Sequence, residues 1–172
     1  MAAKLSAVQA DISALAVEAI VNAANEPLIM GGGVDGAIRL KAGPEMEVEL
    51  RRIGHCPTGE AVITRGHELP SKFVIHTVAP MWSGDDRRRG ADISLLSNCY
   101  CNTLALAREH RIAELAFPCL GTGVYGWPSD LAAQTAYRTV CDFLQARSGA
   151  MRVIFCCFSR ADLDRYNTLL GA

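Results

Sequence analysis

The sequence is short of several things, and each shortage removes a class of function. It has almost no net charge: 17 Lys and Arg against 18 Asp and Glu leave −1 over 172 residues. A protein that grips long nucleic acid needs a basic surface, so nucleic acid is not expected as the main partner, although one local anion site remains open. Aromatic residues are only 6%, too few for a base-stacking platform. No apolar run approaches the roughly 20 residues that span a bilayer, so no membrane partner is expected. The start "MAAKLSAVQADIS" lacks the apolar core of a signal peptide. The chain therefore reads as soluble and intracellular, a cytoplasmic protein. Its seven cysteines are odd in number, scattered, and never spaced C-x-x-C. Neither a disulfide framework nor a metal site is expected from them; they read as small buried hydrophobes.

Half of the residues are apolar, enough to bury a core, and the length suits one domain over 1–172. Three apolar runs read as buried strands: 18–24, 72–78 and 151–158. Shorter ones are 61–66, 112–118 and a first strand near Leu5–Ala10. Helical patterns lie between them. One stops at Gly43, and Pro44 opens the next. Residues 93–110, 129–146 and 160–170 complete the set, the second starting at a Ser or Asp cap. The alternation predicts a layered α/β domain whose largely parallel sheet is covered on both faces. The polar stretch 83–92, "SGDDRRRGAD", reads as a solvated loop.

Residues 121–126, "GTGVYG", spell G-x-G-x-x-G, the pattern of a dinucleotide-binding turn. In that turn the third glycine lies inside the following helix. Here Gly126 is followed by Trp127-Pro128, and a residue before proline is driven out of the helical region. The helix must begin near Ser129, leaving all three glycines in a loop. The acidic residue about 20 positions on, Asp142, falls in a helix instead of ending a strand. A hydride-transfer site is therefore rejected. What survives is a loop whose backbone N–H groups can turn toward an anion, before a helix N-terminus. Trp127 either packs under this loop or rims a cleft beside it.

A second glycine loop, "NEPLIMGGGVDGAI" (25–38), also follows a strand and precedes a helix. Two such loops in one domain suggest a phosphate-bearing ligand held between two backbone walls. Asn22 and Asn25 come off the end of the preceding strand, where they could equally make turns. Asp35 could cap the next helix or stand beside a bound ribose and a water. His76 reads as a core or strand-end residue, and His55, His67 and His110 are assigned no role.

From about Leu5 to Leu170 the chain resembles the macro domain family in its MacroD-type branch. The likeness is carried by residues 10–45, 56–80 and "CLGTGVYGWP" at 119–128, in the expected order. It implies a three-layer α/β/α fold with a mixed, largely parallel central sheet and a cleft for ADP-ribose at the strand ends. On that likeness Asp11 accepts a hydrogen bond from the adenine amino group, Ile12 lines the same pocket, and Phe158 packs on the adenosine end. The diphosphate lies between Gly32-Gly33-Val34 and Gly121-Thr122-Gly123-Val124-Tyr125. Asn22 belongs to the ligand-binding set, and Asn25 and Asp35 face the distal ribose.

Such proteins hydrolyse O-acetyl-ADP-ribose and ADP-ribose esters on acidic side chains. The implied catalytic pair is Asn25, holding the ribose, and Asp35, orienting or deprotonating a water, with no metal and no cofactor. The implied partners are ADP-ribose, O-acetyl-ADP-ribose and mono-ADP-ribosylated proteins. Ala10 stands where the family often has Gly, Gly121 where Ser is common, and "EPLIM" precedes the triple glycine in place of a serine-rich stretch. The competing functions are a non-catalytic reader of ADP-ribose, an ADP-ribose 1″-phosphate phosphatase, and an RNA or partner-binding protein.

Overall fold

The computed structural model describes residues 4–172. Six strands form one sheet: β1 (Lys4–Gln9), β2 (Ala19–Ala23), β3 (Ala61–Arg65), β4 (Phe73–Thr77), β5 (Glu114–Phe117) and β6 (Arg152–Cys157). Their order is β1-β6-β5-β2-β4-β3, parallel throughout except that β3 runs antiparallel to β4 at one edge. The sheet is thus mixed and largely parallel, as expected.

Both faces are covered, which is why the central strands carry apolar residues on both sides rather than at alternate positions only. Ala19, Val21, Leu115, Phe117, Val153 and Phe155 point to one side. They pack there on α3 (Arg89–Glu109), α4 (Ser129–Gln145) and α5 (Arg160–Leu170). Ile20, Val74, Ala116 and Ile154 point to the other, against α1 (Gly33–Ala42) and α2 (Pro44–Ile53). These are the three layers. The break between α1 and α2 falls at Gly43, whose φ of 83° favours glycine, and Pro44 opens α2.

One helix start and one helix cap differ from the sequence reading. Helix α3 begins at Arg89, not near 93, so the polar loop is shorter. Asp92 explains the earlier start. Its carboxylate accepts from Ser83 N at 3.1 Å and Ser83 Oγ at 2.6 Å, tying the first turn back to the incoming chain. Helix α4 has Pro128 at its N-cap and no side-chain cap. All seven cysteines are free thiols, and no helix among the described residues is long and apolar enough to cross a membrane.

Candidate active site

The ends of β1, β5 and β6, the start of α1 and the start of α5 enclose a cleft of about 490 Å³. That is the size of an ordinary small-molecule site, at the carboxyl ends of parallel strands where α/β sheets bind ligands. One end is built by Asp11, Ile12 and Phe158. Asp11 caps a short 3₁₀ turn: its Oδ1 accepts from Ser13 N at 3.0 Å and Ser13 Oγ at 2.6 Å, while Lys41 Nζ lies 3.1 Å from Oδ2. The Ser13 bonds, together with Lys41, hold its carboxyl below the usual range, so it is an anion with acceptor capacity left on Oδ2. Ile12 is buried beside it, and Phe158 is 85% exposed, a flat apolar face turned to solvent.

The middle of the cleft has two backbone walls. Gly33 and Val34 open α1, and as first-turn residues their N–H groups have no intrahelical acceptor. Opposite them are Thr122 and Gly123. Across 121–125 no backbone N–H donates to an acceptor among the described residues, although the loop itself is firmly held. Thr122 Oγ1 donates to Cys119 O at 3.0 Å, Trp127 N to Gly121 O at 3.0 Å, and Trp82 N to Tyr125 O at 2.8 Å. Two rigid rows of free donors, one backed by a helix dipole, suit a diphosphate without any lysine.

Trp127 lies under this loop, not on the cleft rim: it is buried, its Nε1 donates to Pro80 O at 2.8 Å, and its ring packs 4.8 Å from that of Trp82. Glycine at 121 therefore has a packing reason of its own, beside any role of its backbone N–H. Gly121 is buried at φ 84°, and a Cβ there would fall 2.6 Å from the Trp127 ring. Its missing side chain makes room for tryptophan. Gly121→Ala is expected to cost about 2 kcal/mol or more from left-handed strain plus overpacking, read as a fall in the urea midpoint. Gly32, Val124 and Tyr125 sit beside the cleft rather than in its lining. Val124 is 98% exposed, so only its backbone is placed to serve.

Beyond the α1 wall lie Asn25 and Asp35, brought together at Gly31. A Cβ on Gly31 would stand 3.5 Å from Asp35 Oδ2 and 3.6 Å from Asn25 Nδ2. The Asn25 amide is bonded twice to Ile29, donating to its O at 2.9 Å and accepting from its N at 3.0 Å, which leaves one donor and one acceptor site spare. Asp35 is 4% exposed. Its Oδ1 accepts from Asn22 Nδ2 at 2.6 Å and Arg39 Nε at 3.1 Å, and its Oδ2 from Gly31 N at 2.7 Å. A carboxylate has about four acceptor sites, so one remains, on Oδ2, the oxygen nearer Gly31.

Asn22 is a correction. It does not come off the strand end; it lies within β2, fully buried beneath α1, and its amide serves Asp35 and His76 instead of a ligand. Arg39 was not singled out from the sequence. It is buried, and its fork reaches Asp35, Glu47 Oε1 at 2.7 Å and Leu28 O at 3.1 Å. The signal was its i,i+4 spacing from Asp35 on a helix. Leu28 is held at φ 54°, a strained conformation for a leucine, with that carbonyl fixed by Arg39.

His76 is fully buried between Asn22 and Thr64, and burial, then the Arg39 charge, pushes its pKa down from 6.5 to about 3. It is neutral when folded and takes a proton readily when unfolded. Stability attributable to it is therefore lost as pH falls below 6.5 toward 3, by at most roughly 5 kcal/mol. His76→Gln should flatten that part of the stability–pH curve; an unchanged acid limb in urea unfolding would contradict it.

A cleft with free backbone donors on both walls, an acid at one end and a buried Asp beyond the other is a recognisable combination. The sequence matches the macro domain family over residues 21–136. The chain belongs to the macro domain family. It is 46% identical over 169 residues to the ADP-ribose glycohydrolase MACROD2 of Xenopus laevis, covering 98% of this chain and 40% of that one. The O-acetyl-ADP-ribose deacetylase of Escherichia fergusonii is 42% identical over 174 residues, 99% and 97% of the two chains. The solved Oceanobacillus iheyensis macrodomain with ADP superposes with a TM-score of 0.89 at 40% identity, over 96% of this chain and 88% of that one. In this macro domain the cleft-lining residues that the sequence left unnamed are Ala37, Pro118, Cys119, Cys156 and Asp162.

Proposed function

We propose that this macro domain binds ADP-ribose and hydrolyses ADP-ribosyl esters: it releases acetate from O-acetyl-ADP-ribose and removes single ADP-ribose groups from acidic side chains of proteins. The observation that carries the reading is the pairing of Asn25 with Asp35 at Gly31, at the end of a cleft with two donor walls. Adenine sits on Phe158 and Ile12 with its amino group on Asp11, and the diphosphate lies between the walls. The distal ribose meets the spare sites of Asn25. A water bonded to the free lone pair of Asp35 Oδ2 attacks the ester carbonyl. Water adds, the ribose hydroxyl leaves, and an acid is formed. The relatives named for deacetylase and glycohydrolase activity support the same chemistry. Seven free thiols suit a reducing compartment, consistent with a cytoplasmic protein acting on mono-ADP-ribosylated proteins.

A second reading has its own support. Three bonds already occupy Asp35 and two occupy Asn25, a pattern that would serve a non-catalytic ADP-ribose reader. Incubation with O-acetyl-ADP-ribose separates them: release of ADP-ribose and acetate supports the hydrolase, and tight binding without release supports the reader. At the adenine end, Asp11→Ala should weaken ADP-ribose binding about tenfold through loss of one charge-assisted hydrogen bond. The rate at saturating substrate should stay unchanged. Calorimetry and saturation kinetics check the two halves, and a large fall in kcat would place Asp11 nearer the chemistry than proposed.

A further inference from the structure

A single-file polar chain runs through the otherwise apolar layer under α1. Asn22 on β2 is the direct cross-strand neighbour of His76 on β4, and His76 reaches Thr64 on the edge strand β3. The distances are 3.0 Å from Asn22 Nδ2 to His76 Nδ1 and 2.9 Å from His76 Nε2 to Thr64 Oγ1. Thr64 Oγ1 is 3.1 Å from Arg65 O, a group that can only accept, so the hydroxyl donates there. It must then accept from His76, which puts the ring proton on Nε2 and leaves Nδ1 as an acceptor. The Asn22 amide must face Nδ1 with its nitrogen, and its second N–H goes to Asp35 Oδ1 at 2.6 Å. The opposite amide orientation would set two acceptors against each other at both contacts. Asn22 Oδ1 has no partner, so nothing on the oxygen side fixes the amide. All three side chains are buried to 2% exposure or less, where a wrongly placed donor is costly.

We infer that His76, its tautomer set by Thr64, is a positioning residue for Asp35: it fixes the orientation of the Asn22 amide and so delivers the N–H that leaves only Asp35 Oδ2 free to hold water. This deepens the hydrolase reading and rests on it for kinetics, but the hydrogen-bond direction stands on geometry alone.

The first measurement is the long-range ¹H–¹⁵N spectrum of the full chain labelled at histidine. It should show His76 protonated at Nε2 and bare at Nδ1; a proton on Nδ1 overturns the inference. The second is a set of variants outside the cleft, each with its thermal midpoint recorded. Thr64→Val removes the acceptor that selects the tautomer. It should lower kcat about tenfold, the loss of one buried hydrogen bond, with the Kd for ADP-ribose within about twofold. Thr64→Ser should restore kcat. His76→Asn, which can offer a carbonyl where Nδ1 was, should stay within about threefold of wild type, and His76→Phe should not. Wild-type kcat in Thr64→Val, or no rescue by Thr64→Ser, overturns the inference. If wild type binds ADP-ribose without turnover, the hydrolase reading falls, and the spectrum alone decides the tautomer.

Discussion

Asp35→Asn lowers the rate of O-acetyl-ADP-ribose hydrolysis by roughly 10²–10⁴-fold, the usual contribution of a general base, while ADP-ribose binding stays within about fivefold. The substitution is isosteric, so the Arg39 and Asn22 donors can still find the amide oxygen in place of Oδ1. What changes is Oδ2. It becomes an N–H₂ group pointed at Gly31 N, which is also a donor. The free lone pair for water disappears and the glycine loop is repelled. Asp35→Ala is the poorer test, because it leaves a buried guanidinium without its neighbour. Equal rates for wild type and Asp35→Asn would remove Asp35 from the chemistry and leave it as a loop clamp.

The second large effect is on stability. Arg39→Met costs about 3–5 kcal/mol, the usual price of breaking a buried ion pair from one side. Arg39 is 1% exposed and ties together three separate pieces of chain: Asp35 on its own helix, Glu47 on α2, and the Leu28 carbonyl of the strained loop. Its removal strands the Asp35 carboxylate and releases Leu28. At about 2–4 °C per kcal/mol for a chain of this size, the thermal midpoint should fall by roughly 10 °C. Arg39→Lys should recover only part, since an ammonium is a point donor and cannot fork to three acceptors. A midpoint within about 2 °C of wild type for Arg39→Met would show that Asp35 and Glu47 are satisfied by other groups.

These two sites show what the sequence could and could not convey. The strands were legible because a parallel sheet covered on both faces demands nearly continuous apolar runs, as in 151–158. The helix after "GTGVYG" was legible because Pro128 permits only one start. The cleft was legible as two glycine loops, and Gly33 and Gly123 do line one crevice. Asn22 was misread because a buried amide in a strand has the same spelling as one ending it. Only the partners, Asp35 and His76, tell them apart. The packing reason for Gly121 was hidden because a glycine that yields to a tryptophan ring and a glycine that yields to a phosphate look alike until Trp127 is placed. Arg39 was passed over since i,i+4 ion pairs are ordinary on exposed helices, and nothing local says that this one is buried. The early start of α3 depended on Ser83 reaching Asp92 across nine residues, a contact without a local pattern.

The central claim is that two backbone walls, one from the start of α1 and one from the loop after β5, grip a single diphosphate. Titrating ¹⁵N-labelled protein with ADP-ribose tests it most directly. The amide resonances of Gly33, Val34, Thr122, Gly123 and Val124 should move together in one saturable 1:1 step, each shifted in the direction of a new hydrogen bond. Movement of only one wall, or the largest shifts at the opposite ends of the strands, would contradict the account.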